Sequence, residues 1–270
     1  MVELFEQNIR IPERQSSKGN QLKWEDGGIW YKADYAGYEG LSEYVVSNLL
    51  RFSSLDESEF VLYDLEEIKY KKNIYKGVRS RDFLHDDWQI ITLERLFKNR
   101  YGKSLYEEVW HIEGVESRIQ FLNDQVRNIT GLSGFGIYMN KLMTIDAVFL
   151  NEDRHMHNIA VMMNSKQEFD YCRIFDNGAS LLSDTTMDYP LGEDVYSLID
   201  DCHSKTVSRD FIEQIEASEM ASGHNLKFAF SKNDVREILD NCVGVYDAEI
   251  IKRVENVLYY QMRKYQYLFS

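Results

Sequence analysis

The sequence predicts an α+β fold of two lobes, a small β-rich N-terminal lobe with one helix and a larger, mainly helical C-terminal lobe. Three observations predict it. Residues 1–90 hold short aromatic-rich runs around a single helical rhythm. From about Thr92 apolar residues recur at helical spacing. One strand-like pair interrupts that helical stretch. The expected lobes are therefore 1–90 and 91–270.

In chain order, Gln21–Trp24 and Ile29–Asp34 read as strands, and Glu25-Asp26-Gly27-Gly28 between them is a hairpin turn. Leu41 to Phe52 reads as a helix because Leu41, Val45 and Leu49 repeat at i, i+4. Phe60–Tyr63 and Glu67–Tyr70 read as further strands. In the larger lobe Leu93, Leu96 and Phe97 share one helical face, and helices are expected over Val115–Ile129 and Ile137–Leu150. Gly131, Gly134 and Gly136 punctuate the gap between those two. The strands Ile159–Met163 and Tyr171–Phe175 flank the turn Asn164-Ser165-Lys166-Gln167. A last helix over Asp247–Tyr267 presents Ile250, Ile251, Val254, Val257, Leu258 and Met262 on one broad face.

A chain of 270 residues with 44% hydrophobic and 28% charged residues has ordinary globular composition. Its formal net charge of −14 and its lack of a basic stripe argue against direct nucleic-acid binding. A basic protein or peptide suits that charge better, and a merely solvated acidic surface explains it equally well. No apolar run reaches the ~20 residues of a membrane span. The start of the chain lacks the basic and apolar regions of a signal peptide. Cys172, Cys202 and Cys242 form no CxxC pair and read as reduced thiols of a cytoplasmic protein.

Chemistry concentrates in two segments, Asn151-Glu152-Asp153-Arg154-His155-Met156-His157-Asn158 and Ile174-Phe175-Asp176-Asn177-Gly178. Asp153 and Asn158 have the acid-to-amide spacing of the kinase catalytic loop HRDxxxxN, and Asp176 follows 23 residues later (176 − 153) in a DxG turn. Such a set suits magnesium, a hard cation that takes few protein oxygens and fills its shell with phosphates and water. Either motif alone is weak, since an isolated Asp-Asn-Gly is an ordinary turn. Their order and their placement at strand boundaries make the pair specific. Lys32 sits in the aromatic strand ahead of a helix carrying Glu43, with Glu39 as its competitor; a strand lysine held by a helix glutamate is a phosphate clamp. Simple alternation, which turns every second strand residue to solvent, also accounts for Lys32.

Asp153-Arg154-His155-x-x-Asn158 followed by Phe175-Asp176-x-Gly178 resembles the catalytic and metal-binding motifs of HipA-like serine/threonine kinases; phosphoinositide kinases share the DRHxxN order. The resemblance spans roughly residues 15–220 and implies a bilobal protein kinase-like fold. It implies an ATP- and magnesium-dependent enzyme with Asp153 as catalytic acid/base, Asn158 and Asp176 as magnesium ligands, and Arg154 and His155 as supports. It implies a protein substrate with a serine or threonine acceptor, autophosphorylation, and an antitoxin-like protein partner. In place of a GxGxxG loop, Ser16, Ser17, Lys18 and Gly19 would approach the phosphates. The adenine hinge would lie within Tyr63 to Ser80. Lys205 to Phe211 also resembles a family segment, with no assigned role. No APE-like motif follows Asp176, so the substrate platform differs from that of eukaryotic protein kinases.

Three alternatives stay open: a small-molecule or lipid kinase, a non-catalytic nucleotide-binding regulator, and a metal-dependent hydrolase using Asp153, His155, His157 and Asp176.

Overall fold

A computed structural model describes residues 1–9 and 21–269. In chain order these form β1 (Val2–Leu4), β2 (Lys23–Asp26), β3 (Ile29–Ala33), α1 (Glu39–Leu50), β4 (Asp64–Tyr70), β5 (Asn73–Arg81) and β6 (Trp88–Thr92). Then come α2 (Leu93–Tyr101), α3 (Leu105–His111), α4 (Val115–Thr130), α5 (Phe135–Phe149), β7 (Ala160–Asn164) and β8 (Phe169–Tyr171). The chain ends with α6 (Val195–Asp201), α7 (Phe211–Ser222), α8 (Lys232–Asp240), α9 (Ala248–Lys264) and a 3-10 turn at Gln266–Leu268. The α+β class is as expected. The expected segment Ser16–Gly19 lies outside the described residues.

Two compact units share the chain, each assembled from separate segments. One comprises Met1–Phe83, Phe175–Cys202 and Phe228–Ser270; the other comprises Leu84–Ile174 and His203–Lys227.

In the first unit the sheet runs in the order β1-β4-β5-β3-β2. The expected hairpin turn is present: Asp26 pairs with Ile29, and Gly27 and Gly28 take φ of 58° and 79°. Positive φ at both central residues is what a type I′ two-residue hairpin turn demands. Leu4, Trp24, Tyr31, Ala33, Ile68 and Tyr70 form the core on one face. Alternation turns Lys32 to the other face, where α1 packs on β3, β4 and β5. Helix α8 packs against both α1 and α9, and α6 against α9.

Several local expectations are corrected. Phe60–Tyr63 is not a strand, because Tyr63 gives its N–H to Ser47 Oγ at 3.2 Å and its carbonyl accepts from Asn48 Nδ2 at 3.3 Å. Helix α1 has taken the bonds a neighbouring strand would need. No strand was expected at Val2–Leu4, which pairs in parallel with β4, nor at β6, which pairs with β7. The last helix stops at Lys264, and its capping residue Tyr265 is buried.

In the second unit β6, β7 and β8 form an antiparallel sheet. Helix α5 is buried on nearly every side, and packs against α4 and α7. A helix apolar all round is a core helix, so a lone acid within it, Asp146, needs a partner.

Gly77 on β5 opposes Ala33 on β3 and allows a close backbone approach there. A Cβ there would stand 2.1 Å from the Lys32 carbonyl oxygen. Replacing Gly77 with Ala is expected to destabilise the chain by about 1–3 kcal/mol, the usual cost of overpacking, read as a lower urea midpoint at unchanged slope.

Candidate functional site

The first unit holds a three-residue ion cluster around a buried lysine. Lys32 leaves β3 on the face toward α1, where Glu43 lies one turn into the helix. Their Nζ and Oε1 are 2.5 Å apart, and the same ammonium meets Asp176 Oδ1 at 2.9 Å. Lys32 is 8% exposed and Glu43 1%. Burial alone would lower the lysine pKa; the carboxylates of Asp176 and then Glu43 outweigh it and hold the ammonium well above its ordinary range. The Tyr63 ring lies 5.1 Å from Nζ, and burial, with Glu43, pushes its phenol up. Lys23 Nζ stands 3.8 Å from Asp176.

The turn that carries Asp176 is fixed from both sides. Phe175 packs with Phe83 beside the core of Val61, Tyr63 and Val78. Asp176 takes φ of 62°, a left-handed conformation that a short polar side chain tolerates. Asn177 then donates its N–H to the second Glu43 oxygen at 2.8 Å. Glu43 thus spends one oxygen on the strand lysine and the other on the Asp-Asn-Gly turn. Glu39 is otherwise engaged, accepting the N–H groups of Tyr35, Ala36 and Gly37.

The entry to α1 rests on a second buried acid. Asp34 accepts from the Gly40 N–H at 2.5 Å and meets the Tyr246 hydroxyl at 2.8 Å. Burial pushes its carboxyl up from 3.8 to about 7; the Gly40 N–H opposes this, Glu39 adds to it, and Tyr246 and Lys76 oppose it.

The second unit brings Asp153 and Asn158 together. Helix α5 ends at Leu150 in a left-handed cap, φ 56°, and Asn151 Oδ1 accepts the Asp153 N–H at 3.3 Å. Asn158 Nδ2 donates to the Asp153 carbonyl at 2.7 Å and to its Oδ2 at 3.2 Å. Arg154 points inward, its Nε 3.1 Å from both oxygens of Asp146. Burial raises the Asp146 carboxyl to about 6 against the opposing pull of Arg154. His155 accepts the His157 N–H on Nδ1, which leaves its proton on Nε2, 3.8 Å from Asp153 Oδ1. The two imidazole rings stand perpendicular, 5.5 Å apart.

Of the sequence candidates, Lys32, Glu43 and Asp176 thus meet in one unit, and Asp153 and Asn158 in the other. Asp176 and Asn158 offer a carboxylate and an amide carbonyl, the oxygen donors magnesium favours, so the residue types fit that ion. Among the described residues no three or more His, Cys, Asp or Glu side chains form a metal-holding group.

No family model matches the chain, and no curated protein matches it. Among solved structures it is similar to the Helicobacter pylori proinflammatory kinase CtkA, at 15% identity and a TM-score of 0.62, covering 97% of this chain and 94% of that one. The chain has a kinase-like fold. It is also similar to Shewanella oneidensis HipA, solved with HipB and operator DNA, at 12% identity and a TM-score of 0.49. That match covers 97% of this chain and 63% of HipA. Among the described residues no helix is long and apolar enough to cross a membrane.

Sequence reading missed Asp146, Asp34, Lys23 and Lys205, the last with Nζ 3.7 Å from Asp153 Oδ1. For Asp146 a signal existed, an acid inside the apolar run Leu142 to Phe149. For Lys205 the one signal was the family resemblance of Lys205 to Phe211, which carried no role; for Asp34 and Lys23 there was none.

Between about pH 4 and pH 7 the folded chain keeps a proton on Asp34 that the unfolded chain has released. The stability this contributes is complete below the unfolded value and lost as pH rises through the folded one. The unfolding free energy of wild type minus Asp34→Asn is therefore expected to fall over that window and to level off above it. Urea titrations at about pH 4, 6 and 8 check this; a difference independent of pH would contradict it.

Proposed function

We propose that the chain is an ATP- and magnesium-dependent kinase that transfers the γ-phosphoryl group to a serine or threonine hydroxyl of a protein, its own chain included. The observation that carries this reading is the buried Lys32 ammonium clasped by a helix glutamate and by the aspartate of a DxG turn. An ammonium so confined is an oriented point charge for phosphate. The kinase-like fold supports the same reading.

Lys32 would meet the nucleotide phosphates, Glu43 would hold Lys32 in place, and Ser16 to Gly19 would approach the phosphates with backbone N–H groups. Asp176 and Asn158 would hold magnesium, which when bound neutralises phosphate charge. Asp153 would orient the acceptor hydroxyl and take its proton. Lobes at 1–90 and 91–270 would divide phosphate clamping from catalysis. The net charge of −14 favours a basic protein as substrate or as an antitoxin-like partner. The buried free thiols of Cys172, Cys202 and Cys242 suit the cytoplasm.

With radiolabelled ATP, Asp153→Asn is expected to lower transfer roughly 10²- to 10⁴-fold, the contribution of a positioned proton acceptor, while nucleotide binding persists. Full activity in that variant would remove Asp153 from the mechanism. Lys32→Met is expected to weaken nucleotide binding and turnover together; calorimetry and initial rates indistinguishable from wild type would show that the phosphate clamp lies elsewhere.

A further inference from the structure

We propose that Lys205 is a further catalytic residue whose ammonium neutralises the phosphoryl group in transfer. This rests on the kinase reading and adds a participant to it.

The backbone that presents Lys205 is anchored beside the Asp153 loop. Thr206 is fully buried and donates its hydroxyl to the Arg154 carbonyl at 2.6 Å, directly after Asp153. Its N–H goes to Ser204 Oγ at 3.3 Å, and that hydroxyl donates to Gln214 Oε1 on α7 at 2.9 Å. Arg118 on α4 donates to the Val207 carbonyl at 2.9 Å, and Ser208 bonds Glu213. The Ser204 N–H closes the loop on the Arg209 carbonyl at 3.0 Å.

Ser204 and Thr206 are buried, whereas the Lys205 side chain between them is 44% exposed. The loop therefore fixes the lysine's backbone and leaves its ammonium free to turn. That ammonium stands 3.7 Å from Asp153 Oδ1, which His155 Nε2 meets at 3.8 Å. At 3.7 Å the contact with lysine is an ion pair without a hydrogen bond. A half-exposed pair of that kind contributes little to stability, so stability is a poor reason for this elaborate seat.

Function supplies a better one. In the transfer the acceptor oxygen forms a bond to the γ-phosphorus, the bond from that phosphorus to the bridging oxygen breaks, and ADP leaves with the electron pair. The hydroxyl proton passes to the Asp153 carboxylate. Negative charge spreads over the three equatorial oxygens of the moving group, and cations placed there lower the barrier. The carboxylate that contacts the attacking hydroxyl is necessarily close to those oxygens. A lysine within 4 Å of the carboxylate reaches them by rotation of its flexible stem, and keeps its own protons throughout.

The test compares wild type, Lys205→Met, Lys205→Arg and Asp153→Asn, measuring turnover together with the affinity for magnesium–ADP. Lys205→Met is expected to lower kcat roughly a hundredfold, the scale for losing one stabilising group in the transition state. Affinity for magnesium–ADP, which lacks the transferred group, is expected to stay at the wild-type value, and Lys205→Arg is expected to recover part of kcat. Wild-type kcat in Lys205→Met beside an inactive Asp153→Asn would overturn the role of Lys205 and leave the kinase reading standing. An equal loss of magnesium–ADP affinity would overturn it too, since the lysine would then act on the nucleotide or the fold. A wild-type chain that transfers no phosphate would overturn both.

Discussion

The buried ammonium of Lys32 is the constraint around which the first unit is arranged. Taking an ion out of water costs several kcal/mol even after relaxation, and only close, well-directed countercharges offset that. Here they come from two distant points of the chain, Glu43 on α1 and Asp176 on the Asp-Asn-Gly turn. Strand, helix and turn are thereby held to one another at a single atom. The second Glu43 oxygen, on the Asn177 N–H, closes the arrangement, so that neither carboxylate oxygen of this 1%-exposed residue lacks a donor.

Helix α1 must hold its register for that cluster to exist, and the segment after Asp176 supplies much of the grip. Tyr38 sends its hydroxyl to the Leu181 carbonyl and its N–H to that of Ser183, while Ser42 reaches the Ser180 carbonyl. Leu181 and Leu182 both take left-handed backbone, φ 58° and 60°, an uncommon choice for bulky residues. Strain of this sort persists only where the surroundings over-determine it. Both leucines are buried, and the three bonds from Tyr38 and Ser42 fix the carbonyls around them. The strain therefore belongs to the mould that seats the helix, with Asp34 holding the helix entry from the other side.

What the sequence disclosed follows from how local each signal is. The β2–β3 hairpin was legible because two adjacent glycines specify its turn, and α5 because its apolar stretch of fifteen residues is too long for a strand. Lys32 was legible as a charge in an aromatic strand, yet alternation offered solvent as a rival explanation; the packing of α1 shows that this face is covered. Phe60–Tyr63 misled because apolar, β-prone residues look alike whether they pair in a ladder or plug a core. Asp34 looks like an ordinary strand-end acid until Tyr246, 212 residues later (246 − 34), is brought to it. The interleaved segments of the two units leave no local mark at all, since nothing in Phe175–Cys202 announces company with Met1–Phe83.

The Asp153 loop shows why some long-range chemistry can nevertheless be read from a short string. The His155 N–H returns to the Asp153 carbonyl, the Asn158 N–H to the His155 carbonyl, and the Asn158 side chain to Asp153 itself. Two successive reversals carry residue 158 back to residue 153, so a spacing of five is the length that closes this loop. Arg154 can point into the core only because Asp146, eight residues earlier on α5, is there to receive it. With that residue turned inward, its neighbours Asp153 and His155 meet each other, Oδ1 to Nε2 at 3.8 Å. Every one of these demands falls within a dozen or so residues, which is why the motif is compact enough to recognise. Lys205 meets the same carboxylate from 52 residues away (205 − 153), through bonds made by Thr206 and Ser204. The resemblance of Lys205 to Phe211 marks the segment, but its meeting with Asp153 is made by the fold and not by any local spacing.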